Sequence, residues 1–159
     1  MRFVVDCMCG KLAKWLRILG FDVIYFRKVE DDRLISLAAR EKRIILTRDT
    51  RLIEKARGMS TLFVESEEWK EQVKQVLEEF DLWKRVRPYS RCLDCNTELK
   101  NIPRQKARNL VSPFVYEKCQ SFALCPNCGR VFWKGTHFRD MELKIGRFFK
   151  KEKKSLNGD

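Results

Sequence analysis

The stretch FVVDCMCGKLAKWLRILG, Phe3 to Gly20, decides how this chain reads. Phe3–Val5 is a short apolar run of the kind that forms a strand. After Gly10 the period changes. Leu12, Trp15, Leu16 and Leu19 fall at i, i+3, i+4 and i+7, one face of a helix that Gly20 ends. At the junction stand Asp6 and two cysteines, Cys7 and Cys9, spaced C-x-C. Either the carboxylate or the sulfurs could be the chemical group there, and the two choices imply different proteins.

Outward from this stretch the same alternation continues. VIYF (Val23–Phe26) reads as a second strand, and DDRLISLAAREK as a helix on an acidic N-cap that buries Leu34, Leu37 and Ala38. RIILT (Arg43–Thr47) is a third strand, followed by a short helix or turn, RDTRLIEKARG, closed by Gly58. TLFVE (Thr61–Glu65) is a fourth, and the helix after it carries Trp69, Val73, Val76, Leu77 and Phe80 on one side. Strands rich in Val and Ile, alternating with amphipathic helices, predict an α/β domain with a mainly parallel sheet covered by helices. Right-handed crossovers then bring all the carboxyl ends of the strands to one edge, where sites form in such sheets.

Three acids belong to that edge. Asp6 follows the first strand, Asp49 the third, and Asp31 (with Asp32) opens the helix after the second. Carboxylates gathered together repel and need a counter-ion, and hard oxygen ligands select Mg²⁺ or Mn²⁺. An ion so held activates water for attack on a phosphodiester and stabilises the leaving oxygen. The plainer alternative is that Asp31 and Asp49 only cap helices. Lys11, Lys14 and Arg17 step along the first helix and Arg48 precedes Asp49, so Lys11, Arg17 and Arg48 are candidate phosphate contacts. They are equally ordinary residues for an exposed helix face.

The second half differs. The net charge is +12, but through Trp83 there are 16 Lys+Arg against 15 Asp+Glu, and from Lys84 onward 18 against 7. Such a basic half fits a polyanion, most often nucleic acid. DLWKRVRPYSR is a basic linker, and beyond it the elements read as short. Two C-x₂-C knuckles follow, Cys92/Cys95 and Cys125/Cys128, separated by 29 residues. Two knuckles complete a tetrahedral S₄ site, which points to a closed, structural zinc, with iron or a disulfide pair as the alternatives. Gly129 suits a tight turn after the second knuckle. Cys119 is surplus and reads as a buried free thiol. His137, the one histidine, is a zinc ligand, an RNA contact, a proton donor or a structural residue. Trp133 and Phe132 either stack on bases or pack around the metal.

Composition sets the outer bounds. With 44% hydrophobic and 35% charged residues among 159, the chain can build a real core and stay soluble. No apolar run approaches the ~20 residues of a membrane helix. MRFVVDC lacks the apolar length and cleavage site of a signal peptide. Seven cysteines would leave one unpaired in a secreted protein, and spaced pairs among them fit a reducing compartment and metal better. The expectation is a cytoplasmic protein with no membrane partner.

DCMCGKLAKWLRILGFDV resembles the opening D-x-M-x-G-K-L-A-x-W-L-R-x-L-G of the Mut-seven C-terminal RNase family. DDRLISLA, RIILTRDTRL, Glu71–Gln72, SRCLDCNTEL, CPNCGRVFWKGTH and Met141 continue the resemblance in order, over residues 2–141. The resemblance implies a PIN-like nuclease fold fused to a zinc ribbon, with Asp6, Asp31 and Asp49 as the metal-holding acids. A fourth acid common in PIN domains has no clear counterpart, although Glu65 is near the right strand end. Where the family usually has an apolar residue this chain has Cys9, which favours packing over metal binding. The expected organisation is a PIN-like domain over 1–83, a linker over 84–91, a small β-rich zinc ribbon with its extension over 92–149, and a basic tail over 150–159. The expected function is RNA hydrolysis with Mg²⁺ or Mn²⁺, the ribbon and His137 contacting RNA. The rivals are a non-catalytic RNA-binding protein and an interaction module that docks to a larger RNA-processing assembly.

Overall fold

Phe3, Val4 and Val5 leave no polar side chain to hydrate, and they become the middle of a sheet. In the computed structural model, which describes residues 1–156 apart from the side chains of 137 and 151–156, they lie in β1 (Arg2–Val5), all three fully buried. β1 pairs in parallel with β2 (Asp22–Tyr25) and with β3 (Ile44–Thr47), and β3 pairs in parallel with β4 (Thr61–Phe63). The order is β2-β1-β3-β4, with Val4 opposite Ile24 on one side and Ile45 on the other. A strand with neighbours on both edges and helices on both faces must be apolar throughout. β1 is, apart from Arg2 at its open end.

Four helices cover this sheet: α1 (Gly10–Ile18), α2 (Asp31–Glu41), α3 (Thr50–Lys55) and α4 (Trp69–Glu79). Val4 and Ile45 pack with Leu34 and Ala38 of α2 and Leu52 of α3. Phe3, one residue away and so on the opposite face, meets Phe21 edge-on at 6.4 Å and Phe80 at 5.7 Å. Trp15 of α1 and Trp69 of α4 stack in parallel with centroids 4.2 Å apart. The mixed α/β class, the parallel sheet and each expected strand and helix of this half are present. One helix start differs: the N-cap of α2 is Glu30, with Asp31 and Asp32 inside its first turn. There their charge favours the positive end of the helix dipole instead of capping it.

The chain forms two compact units, Met1–Glu98 and a second from Leu99 onward. In the first, the segment after α4 runs back along α1. Arg87 and Tyr89 donate their amides to the carbonyls of Leu19 and Ile18, which the end of α1 leaves without helical partners. Gly20 makes this approach possible. Its φ of +94° is strained for other residues, and a Cβ there would collide with the Arg87 carbonyl.

Residues 91–96 are then tied to β2 by polar contacts. Asn96 accepts from the Val23 amide at 3.0 Å and donates to Asp22 at 2.8 Å. Arg17 donates from Nε to the Val23 carbonyl and from Nη1 to the carbonyls of Leu93 and Asp94. Arg91 donates to the carbonyls of Gly20 and Asn96. At the centre, the buried Arg43 donates to Asp22 Oδ1 at 2.6 Å, to the Phe3 carbonyl and to Glu41. Burial works against the Asp22 carboxylate, but the bonds from Arg43 and Asn96 outweigh it and hold its pKa below the ordinary value.

The second unit is built on an antiparallel sheet, β5 (Lys100–Ile102), β6 (Phe122–Leu124) and β7 (Val131–Trp133) in that order. Two short helices, α5 (Arg104–Ala107) and α6 (Pro113–Lys118), connect β5 to β6. Ala107, Cys119 and Phe122 form its small core. The long α7 (Thr136–Leu156) corrects the expectation that elements past the linker are short. Phe138, Met141, Ile145 and Phe148, which recur at steps of three and four, are with Phe149 its more buried residues. The lysines and glutamate after them, good helix formers, carry the helix on. Residues 157–159, the end of the expected tail, lie outside the described residues. Among the described residues no helix is long and apolar enough to cross a membrane.

Two outcomes follow for stability. Gly20→Ala is expected to lower it by at least ~1–3 kcal/mol in chemical denaturation, since it imposes strained backbone and a clash. Asp22 has a lowered folded pKa, so its contribution is complete above the unfolded carboxylate value of ~3.9 and is lost as pH falls through the folded one. Asp22→Asn should therefore flatten the acid limb of the stability curve. Arg43→Met should cost ~1–3 kcal/mol near neutral pH, since it removes the shortest bond to the Asp22 carboxylate and leaves it Asn96 and the longer contacts of Arg91 and Arg2. An unchanged acid limb in Asp22→Asn would contradict this account.

Candidate active site and cysteine cluster

Asp6 stands where β1 ends, and its environment is more constrained than a strand end requires. Its amide donates to the Leu46 carbonyl of β3, which extends the pairing by one residue. Oδ1 accepts from the Cys7 amide and caps a 3₁₀ turn over Cys7–Cys9. Oδ2 accepts from Thr47 Oγ1 at 2.9 Å, a bond buried between two strands. The same hydroxyl accepts the Asp49 amide at 2.9 Å. One threonine thus links the carboxylate after β1 to the backbone of the acid after β3. Asp49 is also the N-cap of α3, its Oδ1 accepting from the Arg51 amide at 2.8 Å. Capping and site geometry are therefore not exclusive at Asp49.

Asp31 is placed differently. Its Oδ2 pairs with Lys55 Nζ at 2.7 Å across α2 and α3, and that carboxylate raises the Lys55 pKa. Among the described residues, the three aspartates do not gather their oxygens closely enough to form a ready metal-ligand group; four cysteines do. Asp6 and Asp49 are brought together through Thr47, and Asp31 is drawn to Lys55.

The candidate phosphate contacts separate as well. Lys11 is exposed in the first turn of α1. Arg48 donates from Nη2 to the exposed Glu67 at 3.1 Å, while its Nε is buried with no hydrogen-bond partner. Arg17 is committed to three carbonyls, and burial lowers its pKa. His137 is on α7, with its side chain outside the described residues.

The opening question between thiol and carboxylate has a physical answer. Burial and the neighbouring Asp6 charge push the Cys9 thiol up to about 11, against a smaller opposing effect of Arg48. The Cys7 thiol is raised chiefly by its hydrogen bond to Asp6, and further by burial. Both stay protonated near neutral pH, so the junction presents one carboxylate and no thiolate.

Sequence reasoning gave Thr47 and Gln75 no role, and named Gln72 only as part of the family resemblance. Gln72, buried on α4, donates to the Ser66 carbonyl at 2.8 Å. Gln75 donates to the Phe63 carbonyl at 2.9 Å and accepts from the Glu65 amide at 3.2 Å. Together they pin the chain beyond β4. The usable signals were a threonine as the last residue of a buried strand and a glutamine on the apolar face of a helix.

Cys92, Cys95, Cys125 and Cys128 bring their sulfurs within 4.8 Å of one another. Zn–S bonds of ~2.3 Å in a tetrahedron place sulfurs ~3.8 Å apart, so the group fits zinc with small movements. Each knuckle has the same backbone frame. Cys92 and Cys125 donate their amides to the carbonyls of Thr97 and Arg130, five residues on. Asn96 and Gly129 return their amides to the carbonyls of Cys92 and Cys125. Both turn residues have positive φ, 66° and 72°. The turn expected at Gly129 is there, and its counterpart is an asparagine. Cys119 is buried outside this group, its Sγ 4.0 Å from the Lys134 carbonyl.

No curated protein and no solved structure matches the chain. A family model, the Mut7-C RNAse domain, matches residues 1–145 of the 159. That span contains the carboxylate edge and all four clustered cysteines. The chain belongs to the Mut7-C RNAse domain family.

Proposed function

We propose that this protein is a metal-dependent ribonuclease of PIN-like architecture. In this reading residues 1–83 hydrolyse RNA, 84–91 connect, and the basic 92–149 ribbon holds RNA around a structural zinc. The observation that carries it is the Asp6–Thr47–Asp49 connection at the carboxyl edge, in a family described as an RNase domain.

The donor set is of the right kind. Asp6 and Asp49 offer hard carboxylate oxygens that suit Mg²⁺ or Mn²⁺. When bound, such an ion supplies an activated water and charge on the leaving oxygen. The chain supplies position. Thr47 fixes the Asp6 carboxylate and the Asp49 backbone with one hydroxyl, and each carboxylate oxygen keeps a lone pair for a cation. Asp31 joins when it leaves Lys55, an exposed pair worth ~0–1 kcal/mol. Arg48, whose Nη2 has only an exposed glutamate as partner, is the first candidate phosphate contact, and Lys11 and His137 remain further candidates. Arg17 acts here as the strut of the first knuckle. The excess charge from Lys84 onward supports a backbone grip on RNA.

The Asp31–Lys55 pair also supports the rival reading, an RNA-binding scaffold that no longer cuts. Cleavage of single-stranded RNA with Mn²⁺ separates the two. Asp6→Asn and Asp49→Asn should fold and lose activity by more than the ~10–100-fold typical of a supporting hydrogen-bond partner, and Thr47→Val should lose within that range. Cleavage unchanged in Asp6→Asn would refute the nuclease assignment. Salt-sensitive binding without turnover in any metal would favour the scaffold. Elemental analysis of the purified chain should find one zinc, lost together with thermal stability in Cys125→Ser/Cys128→Ser. Iron in its place would refute the zinc assignment.

A further inference from the structure

We infer that Phe63, with Met8 in the turn that Asp6 caps, is a stacking platform for an unpaired nucleobase of the RNA. The inference deepens the nuclease reading and rests on it. Thr47 is the register partner of Phe63, and Asp6 bonds Thr47 through its side chain. Register partners on parallel strands project to the same face, so Asp6, Thr47 and Phe63 form one row across β1, β3 and β4. At ~4.8 Å per strand, Phe63 is one strand from the threonine and two from Asp6. Met8 is in the turn that begins directly after Asp6.

Exposure singles out these two residues. Among the described residues of the first unit, the exposed large apolar side chains are Met1, Met8 (62%) and Phe63 (38%). Met1 precedes β1 at the amino end of the sheet, away from the carboxyl edge. Phe63 is in register with Thr47 at the carboxyl edge, and Met8 is in the turn that Asp6 caps. Phe63 is also held by more than its strand, for an edge strand of three residues is weakly fixed. Gln75 clamps the backbone on both sides of it, donating to the Phe63 carbonyl and accepting the Glu65 amide. A pre-positioned aromatic ring in line with hard oxygen donors can stack a base while its phosphate lies toward those donors. A duplex hides its bases in the stack, so the platform selects single-stranded RNA.

Binding and cleavage of a fluorescent single-stranded RNA, the same strand with abasic sites, and its duplex test this on the full chain. Phe63→Ala should weaken single-strand binding by roughly 5- to 100-fold, Phe63→Trp should restore it, and Phe63→Leu, which keeps packing but cannot stack, should resemble alanine. The abasic strand should bind wild type about as weakly as the intact strand binds Phe63→Ala. The duplex should not distinguish the variants. Equal affinity of wild type and Phe63→Leu for the intact strand, with melting temperatures unchanged, overturns the platform. If wild type binds but never cleaves, the nuclease reading fails while the binding comparison still decides the platform.

Discussion

The first unit depends on a constraint at β1. Phe3, Val4 and Val5 are paired on both edges and buried on both faces, so nothing polar fits between Arg2 and residue 6. The next polar side chain after Arg2 therefore appears where the strand leaves the sheet, and it is Asp6. The same logic places Thr47 at the end of β3 and Asp49 just beyond it. A parallel sheet makes these positions neighbours because every strand ends on the same side. Burial then sharpens the arrangement. With Thr47 fully buried, its hydroxyl must be satisfied internally, and it is satisfied by Asp6 while accepting from the Asp49 amide.

A second polar system fixes the 91–96 turn. Asp22 receives Arg43 and Asn96, Arg17 spans the Val23 carbonyl and two carbonyls between the knuckle cysteines, and Arg91 holds the far side of the turn. The first knuckle therefore has its backbone shaped by the α/β unit itself. The hydrogen-bond frame it shares with the second knuckle has a different source of rigidity, since Gly129 adopts its positive φ freely and Asn96 is held there by side-chain bonds. Ordering a metal-ligand loop costs less when the fold has already paid that entropy.

Much of the fold was legible because its elements are periodic. Leu12, Trp15, Leu16 and Leu19 declare α1, and the β-branched runs declare the strands. The long α7 was less legible, since lysines conceal the three-and-four spacing of Phe138, Met141, Ile145 and Phe148. For the site, the aspartates were visible as acids at strand ends and the cysteines as spaced pairs. Arg17 looked like a surface cation on a helix, and only the tertiary contacts spend it on carbonyls seventy-six residues away. Asp31 looked equivalent to Asp6, yet Lys55 of α3 takes it.

By itself the sequence determined which residues could carry charge, ligate metal or fill a core, because those properties belong to side chains and their spacing. It therefore determined the alternating α/β half, the basic ribbon half and the two knuckles. The tertiary structure decided which groups meet. Thr47 bridges Asp6 and Asp49, Arg43 neutralises Asp22, and Phe63 shares a row with the carboxylates, because strand register fixes lateral neighbours and no one-dimensional pattern encodes register across separate strands. Within FVVDCMCGK, that register ties Asp6 to Thr47. The hydrogen bond to Asp6 raises the Cys7 thiol, and burial with the Asp6 charge raises that of Cys9.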